Sequence, residues 1–218
     1  MDAELFPRSR TEIAPGAVHV PDWLDMDRQR RLLEACREWA RPPAGLRTVR
    51  TPGGGAMTAR QVCLGLHWYP YGYARTVVDG DGAPVKPFPD WLDELGRRAV
   101  EDALGAREAA AAYDIALINF YDGDARMGMH RDSDEKSDAP VVSLSLGDTC
   151  VFRFGNTETR ARPYTDVELR SGDLFVFGGA ARRAYHGVPR VHAGSGPPGL
   201  GLTGRLNVTL RVGGFDDG

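Results

Sequence analysis

The sequence is poor in cysteine and in lysine. Three cysteines stand far apart in 218 residues with no CxxC pair, which excludes a disulfide framework and a cysteine-based zinc site. A metal in this protein would therefore be held by nitrogen and oxygen. Lysine occurs at two positions, so 25 of the 27 basic residues are arginine, whose planar guanidinium suits carboxylate and phosphate contacts.

Long hydrophobic runs and an excess of positive charge are also missing. No stretch approaches the ~18 uncharged apolar residues that a membrane span needs, and the first ten residues lack the apolar centre of a signal peptide. We therefore expect a cytoplasmic protein without a membrane partner. The 27 basic and 30 acidic residues give a net charge of −3, so a nucleic-acid partner would require a local basic patch.

Length and composition are those of one globular domain with extensions, since 42% of the residues are hydrophobic and 26% are charged. Residues 1–22 contain scattered proline and glycine and predict an extended lead-in. Apolar residues at helical spacing predict one amphipathic helix over residues 25–40 and another that begins at Pro89-Asp90.

Beyond residue 114 the period of the apolar residues changes from about 3.6 to 2, which is typical of strands that bury one face. Short strands at regular spacing predict a jelly roll or similar barrel, and hence a mainly β fold with flanking helices (α+β). Residues 187–204 are rich in glycine and proline and predict a loop. The predicted strands are 115–121, 141–146, 150–154, 166–170, 174–177 and 205–212.

One short motif and one distant histidine have the composition of a metal site. His130 and Asp132 are two positions apart, so in an extended backbone both side chains point to the same face. With His186 they would form two imidazoles and a carboxylate, the facial set that binds Fe(II) and leaves other coordination positions open. Zinc could take the same ligands, although a hydrolytic base would then be expected nearby. The alternative is a solvated acidic loop that follows a strand.

The last predicted strand alternates strictly between polar and apolar residues. Arg205, Asn207, Thr209 and Arg211 share one face, and leucine and valine form the other. If the polar face lies inside a barrel, its arginines need anions, because a buried unpaired charge is costly. A short dicarboxylate would fit between them, whereas an ordinary half-exposed strand would place both arginines in water.

Taken in order along the chain, these motifs resemble those of the AlkB family of Fe(II)- and 2-oxoglutarate-dependent dioxygenases. The resemblance covers roughly residues 55–213 and includes the 139–147 segment, Ser171-Gly172-Asp173 and Tyr185-His186-Gly187. It implies a double-stranded β-helix, which is a jelly roll, over residues 56–218. Residues 1–55 are then an N-terminal extension with a helix, and residues 56–90 a nucleotide-recognition segment.

The resemblance also implies a cofactor set and an activity. Fe(II) would be held by His130, Asp132 and His186, and 2-oxoglutarate would serve as cosubstrate with O2. Arg205 and Tyr121 would hold the distal carboxylate of 2-oxoglutarate. The group expected at its other end consists of Arg211, Asn207 and Asn119. The implied reaction removes N-methyl groups from 1-methyladenine and 3-methylcytosine in single-stranded DNA, with RNA as a further substrate, and releases formaldehyde, succinate and CO2.

Substrate contacts follow by position in the same family motifs. Tyr73 matches the family's nucleotide-lid tyrosine, Asp134 its base-contacting acid, and Glu135 the acid that follows. Leu66 stands where well-known bacterial members have tryptophan, so either Trp68 takes over the stacking or the base rests on the adjacent histidine. The aromatic residues of this segment could instead form a hydrophobic cover on the barrel.

Two other functions remain open from the sequence. The same iron chemistry could act on a protein, a lipid or a small metabolite, since Leu66 and the low net charge leave the substrate undecided. A non-enzymatic jelly-roll module would bind a metal or a sugar without turnover. We expect a monomer in either case.

Overall fold

Strands form where the period-two alternation predicts them, and several more appear elsewhere. The computed structural model describes residues 7–215. In chain order its elements are β1 (Thr11–Ala14), β2 (Ala17–Val20), α1 (Met26–Trp39), β3 (Arg47–Arg50), β4 (Ala56–Leu64), β5 (His67–Tyr69), β6 (Gly72–Ala74), α2 (Asp90–Leu104), β7 (Ile115–Tyr121), β8 (Met127–His130), β9 (Val141–Gly147), β10 (Cys150–Phe154), β11 (Thr165–Leu169), β12 (Leu174–Phe177), β13 (His186–Val191) and β14 (Arg205–Arg211). Short 3-10 helices cover Glu108–Ala110, Gly179–Ala181 and Pro198–Leu200.

Two antiparallel sheets build the fold. The larger has eight strands in the order β1-β2-β12-β9-β14-β7-β4-β3, and the smaller has four in the order β11-β10-β13-β8. Phenylalanines from β10 and β12 pack together in one buried cluster with Tyr121 and Val188, so the two sheets share a core. The arrangement is a jelly roll, which confirms the predicted mainly β fold.

Both helices cover the outer face of the larger sheet. Leucines of α1 and alanine and valine of α2 join the apolar side chains of β9 and β14 in a second buried cluster. The helix α1 begins after Asp25, whose side chain accepts a hydrogen bond from the Arg28 backbone N–H at 2.8 Å and so caps the helix. Both predicted helices are therefore confirmed. In each, the amphipathic stripe and the helix start signal in the sequence predict the same segment.

The N-terminal segment and the 187–204 segment differ from the sequence-based expectations. The described part of the lead-in forms the hairpin β1–β2, and β2 pairs with β12 in the larger sheet; residues 1–6 lie outside the described residues. The loop predicted over residues 187–204 is wrong at its start, because β13 runs to Val191. Gly187 serves close strand approach there, since a Cβ atom would lie 2.8 Å from the Met127 carbonyl oxygen of β8.

The predicted division at residue 55 falls between two paired strands, because β3 and β4 are antiparallel neighbours in the larger sheet. All three cysteines are buried and free, as the lack of close pairs predicts. No helix within residues 7–215 has the length and apolar character of a membrane span.

Candidate metal centre and its two cavities

The polar face of β14 looks into the space between the two sheets. Leu206, Val208 and Leu210 point to the helices, so the alternating residues of the strand point to the smaller sheet. Arg205 is 1% exposed and Arg211 is 7% exposed, which excludes the alternative that these arginines lie in water. In the register of the larger sheet, Arg205 pairs with Tyr121 and Asn207 with Asn119 on β7. The strands thus bring four residues expected near one ligand to adjacent positions.

The three predicted metal ligands meet at the edge of the smaller sheet. His130 on β8 is the direct cross-strand partner of His186 on β13, and Asp132 follows β8 by two residues. One ligand atom from each of the three side chains lies within 4.8 Å of the others. Antiparallel pairing of β8 with β13 therefore joins residues that are more than fifty positions apart in the chain.

Both imidazole rings are oriented by the backbone. Nδ1 of His130 lies 3.0 Å from the Gly128 carbonyl oxygen, and Nδ1 of His186 lies 3.0 Å from the Ala184 carbonyl oxygen. A carbonyl oxygen can only accept, so each Nδ1 donates its proton and each Nε2 keeps a free lone pair. Each Nε2 lies 3.7 Å from a different oxygen of Asp132. The two lone pairs and the carboxylate thus converge on one point.

Electrostatics favour the metal-binding forms of these groups. Burial alone would raise the pKa of Asp132, but Arg211 and the two histidines outweigh it and lower the pKa to about 2. Burial, together with the nearby His130 ring, lowers the pKa of His186 to about 4. At neutral pH the site therefore contains an ionised carboxylate and a neutral imidazole at position 186. The buried Oδ2 atom of Asp132 has no hydrogen-bond partner, which fits a bound divalent cation.

The inner cavity extends from the three ligands toward Arg205. Its lining includes Asn119, Tyr121, Asn207 and Arg211, with Met127 and Phe177 among its apolar residues. Within residues 7–215 no carboxylate lies in ion-pair distance of Arg205, whose NH2 donates to Ser145 Oγ at 2.9 Å and whose buried Nε has no partner. A fully buried guanidinium without a counter-ion calls for an anionic ligand.

Tyr121 stands opposite Arg205 in the sheet register and is also buried. Burial raises the pKa of Tyr121 more than the Arg205 charge lowers it, so the phenol is neutral and can donate a hydrogen bond. Among the described residues, its O–H finds a hydrogen-bond acceptor only in the Met127 sulfur, at 3.7 Å, which is a weak acceptor. The phenol is therefore available to an oxygen ligand beside Arg205.

The amides of Asn119 and Asn207 are held by neighbouring strands. Asn207 Nδ2 donates to Ser143 Oγ at 2.7 Å, and its Oδ1 accepts from Thr209 Oγ1 at 2.8 Å. Asn119 Oδ1 accepts from Gln61 Nε2 at 3.0 Å. Both amides line the inner cavity.

An outer cavity of about 490 Å³ opens beside two of the three ligands, His130 and Asp132. Trp68 and Asp134 line it, and Trp68 Nε1 donates to Asp134 Oδ2 at 2.8 Å. Tyr71 stands at its mouth, 82% exposed and with a left-handed φ of 74°, on the turn between β5 and β6. His130, Asp132 and Arg211 line both cavities, so the cavities meet at the metal site.

Tyr73 and Glu135 lie elsewhere than their predicted substrate role requires. Neither residue lines either cavity. The Tyr73 O–H donates to Glu135 Oε1 in a very short hydrogen bond, and its ring packs against Phe215. Glu135 is 3% exposed and accepts from Arg211 NH1 at 2.8 Å. This pair therefore sits behind Arg211, and the geometry favours a role through that arginine over contact with a base.

Leu66 and His67 also face away from the outer cavity. His67 is buried, and its Nε2 lies 2.7 Å from Asp79 Oδ1, so the alternative that a base rests on this ring is wrong. Leu66, Trp68 and Tyr73 pack on a small cluster around Cys63. The aromatic segment is thus partly a hydrophobic cover, as the alternative reading expected, while Trp68 also faces the cavity.

Several residues of the site are not among those predicted from the sequence. Ser143 and Ser145 are the clearest case, because their i, i+2 spacing in the apolar run of β9 indicates a polar face and could have been found. Gln61 has a similar position on β4. Arg182, which contacts the Asp132 backbone, lies in a turn where no period predicts its direction.

Known proteins share this sequence pattern and fold. The profile of the 2OG-Fe(II) oxygenase superfamily matches residues 16–211. An alpha-ketoglutarate-dependent dioxygenase AlkB homolog of Caulobacter vibrioides is 38% identical over 91% of this chain and 88% of that protein. The DNA N(6)-methyladenine demethylase ALKBH1D of Arabidopsis thaliana is 32% identical over 91% of this chain, which spans 50% of that relative.

A solved structure agrees with the sequence comparisons. The structure of OsALKBH1 superposes with a TM-score of 0.81 at 30% sequence identity, and the match covers 93% of this chain and 100% of that chain. The similarity thus includes both sheets and the two helices that cover them.

Proposed function

The chain belongs to the AlkB family within the 2OG-Fe(II) oxygenase superfamily, and from that membership we propose that it is an Fe(II)- and 2-oxoglutarate-dependent dioxygenase that demethylates N-alkylated bases. The observation that carries the proposal is the convergence of His130, Asp132 and His186 beside the buried, uncompensated charge of Arg205. These three side chains and Arg205 line the same inner cavity, so a metal and an anion would bind next to each other.

The three converging side chains would hold the metal. Nitrogen and carboxylate donors on one side, with no sulfur, suit Fe(II). When bound, iron with 2-oxoglutarate and O2 supplies oxidation of an N-methyl carbon, which leaves as formaldehyde while 2-oxoglutarate becomes succinate and CO2. The chain itself orients both imidazole rings through the Gly128 and Ala184 carbonyl groups.

The inner cavity would hold 2-oxoglutarate. Arg205 and the neutral phenol of Tyr121 would bind its distal carboxylate by charge-assisted hydrogen bonds. Arg211 and Asn207, with Asn119, would bind the end of 2-oxoglutarate next to the metal. The buried Nε of Arg211 has no hydrogen-bond partner, which supports this orientation of 2-oxoglutarate. Residues of two neighbouring strands thus provide both ends of the dicarboxylate site.

The outer cavity would receive the methylated base. A base inside a duplex cannot reach this site, so the enzyme would act on single strands or extrude the base. Trp68 offers an indole for stacking, and Asp134 offers an acceptor for an exocyclic amine. Of the four predicted substrate contacts we retain these two, while Tyr73 and Glu135 would act through Arg211.

The rim of the outer cavity carries the local positive charge that the net charge lacks. Arg131 and Arg160 both lie over the Tyr185 ring, at 5.3 and 5.9 Å. Within the described chain neither of them has an ion-pair partner, so both are free for phosphate groups. Arg60, by contrast, is paired with Asp122 at 3.1 Å. We therefore propose single-stranded DNA as the polymer, with RNA as a second substrate.

We also propose a domain organisation, an oligomeric state and a location for the protein. Residues 56–218 would form the dioxygenase domain, with residues 56–90 as its nucleotide-recognition segment. Residues 1–55 would be an extension with the helix α1 that also adds the strands β1, β2 and β3 to the larger sheet. The protein would work as a monomer in the cytoplasm.

Turnover on methylated oligonucleotides tests the proposal. Iron-loaded protein is incubated with 2-oxoglutarate, O2 and single-stranded DNA that contains 1-methyladenine, 3-methylcytosine or N6-methyladenine, the last because of the Arabidopsis relative's name. We expect formaldehyde and succinate in equal amounts with the first two bases, and little with unmethylated DNA. Succinate without formaldehyde on any of them would indicate a protein, lipid or metabolite substrate. Absence of both products would favour a binding module.

A further inference from the structure

Two adjacent acids after β8 point in opposite directions. Asp134 lines the outer cavity and accepts the Trp68 indole N–H. The Glu135 side chain is fully buried and lines neither cavity. Both of its oxygens are occupied: Oε1 accepts from Tyr73 and from Arg211, and Oε2 accepts from Arg182 NH2 at 3.1 Å. The carboxylate is thus committed to protein donors.

The two arginines that Glu135 holds both reach Asp132. Arg182 NH1 donates to the backbone carbonyl oxygen of Asp132 at 2.8 Å. Arg211 NH2 lies 2.7 Å from the Asp132 carboxylate atom Oδ1. One arginine therefore fixes the backbone of this residue and the other fixes its carboxylate. The Glu135 carboxylate thus accepts from both of the guanidinium groups that contact Asp132.

The charges of this group balance only when Glu135 is ionised. Arg182, Arg211, Asp132 and Glu135 are all buried, two with positive and two with negative charge. Burial requires each charge to be paired and hydrogen-bonded, so a change at one member displaces the others. Without the charge of Glu135, Asp132 would be the one carboxylate left within ion-pair distance of Arg211 among residues 7–215. The arginine and a metal would then compete for that carboxylate.

We propose that Glu135 is a positioning residue that holds Asp132 and Arg211 in the arrangement required by a divalent metal and by the metal-side end of 2-oxoglutarate. It acts through Arg182 and Arg211 and does not touch the methylated base. The identity of the cosubstrate rests on the proposed function, whereas the geometry of the four charges stands on the contacts above.

Binding to the Glu135→Gln variant tests this role without turnover. Metal-free protein is titrated with Co(II), followed by its visible spectrum, and the Co(II)-loaded protein is then titrated with 2-oxoglutarate. We expect both dissociation constants to rise about tenfold or more, as for other residues that orient metal ligands, together with a changed Co(II) spectrum. In turnover, the KM for 2-oxoglutarate should rise while the KM for the methylated oligonucleotide stays unchanged.

Two neighbouring acids provide controls. Asp138→Asn removes an exposed acid that is also paired with an arginine, Arg183, and should leave every quantity unchanged. Asp134→Asn should raise the KM for the oligonucleotide and leave Co(II) and 2-oxoglutarate binding intact. If Glu135→Gln fails to fold, Tyr73→Phe tests the proposal instead. This variant removes a single donor from Glu135, so it should weaken the binding of Co(II) and of 2-oxoglutarate by a smaller factor.

Two results would overturn the inference. Normal Co(II) and 2-oxoglutarate binding by Glu135→Gln, or by Tyr73→Phe if the first variant does not fold, would show that the acid positions nothing. A rise in the oligonucleotide KM alone would show instead that it contacts the base. Failure of the wild-type protein to bind Co(II) and 2-oxoglutarate would overturn the proposed function as well, so the two failures are distinguishable.

Discussion

The inner and outer cavities share the metal site but are built differently. Residues from the long paired strands β7, β9 and β14 line the inner cavity, where most polar side chains are buried and have strand neighbours as partners. The outer cavity is formed largely by turns, by the short hairpin β5–β6 and by the chain after β8. Strand register thus fixes the proposed chemistry, while loops shape the surface that would select a substrate.

We expect the largest effect from a substitution in the metal site, which the two cavities share. His130→Ala removes one of three ligands, so we expect loss of Fe(II) binding and of turnover, because two remaining donors hold the ion weakly. Metal content after dialysis and succinate release would measure it. His192→Ala is the matched control, since His192 lies outside both cavities. An active His130→Ala enzyme would show that another residue completes the site.

The next effect should be confined to the inner cavity. Arg205→Met keeps much of the volume but removes the buried charge, and we expect a loss of 2-oxoglutarate affinity of about 2 kcal/mol or more, roughly 30-fold. The KM for 2-oxoglutarate checks this, while the KM for the oligonucleotide should stay constant. Arg153→Met removes an arginine from an exposed ion pair with Asp166 and serves as the control. If Arg205→Met and Arg153→Met have the same KM for 2-oxoglutarate, Arg205 does not bind the cosubstrate.

A smaller effect should be confined to the outer cavity. Trp68→Ala removes the indole proposed for stacking, which is worth about 1–3 kcal/mol per base in other single-strand binders. The KM for the methylated oligonucleotide should rise about tenfold, with 2-oxoglutarate binding unchanged. Trp91→Ala, on the outer side of α2 and stacked on Trp39, provides a remote aromatic control. A change in 2-oxoglutarate binding instead would contradict the separation of the two cavities.

The smallest expected effect on catalysis lies in the scaffold, where stability changes but neither cavity does. Burial would raise the pKa of Asp173, but hydrogen bonds from His19 and Arg8, among others, lower it to about 2 from the usual 3.8. A depressed carboxyl pKa contributes stability above the unfolded value, and this contribution is lost as the pH falls from about 4 to about 2.

Asp173→Asn should therefore lower the free energy of unfolding by about 2 kcal/mol at neutral pH and flatten its decline below pH 4. Urea unfolding at several pH values measures this. If the free energy of unfolding of Asp173→Asn depends on pH as it does in the wild-type protein, Asp173 does not contribute to the loss of stability in acid.

The sequence predicted the inner cavity better than the outer one. Arg205 and Asn207 could be assigned to one face because strand periodicity fixes direction, and the resemblance supplied their roles. Position in the family motifs predicts a substrate contact for Tyr73 and Glu135, but Glu135 turns inward to Arg182 and Arg211, and Tyr73 donates to Glu135. No sequence pattern predicts the position of Arg182. The glycine and proline of β13 predict a loop, whereas Gly187 allows the close approach of β13 to β8.

Anaerobic binding of 2-oxoglutarate, measured by calorimetry with and without Fe(II), tests the central claim most directly. We expect one 2-oxoglutarate to bind per chain, with an affinity that rises when Fe(II) occupies the His130, Asp132 and His186 site and that falls roughly 30-fold in the Arg205→Met variant. Binding that is indifferent to Fe(II) and to Arg205 would contradict it.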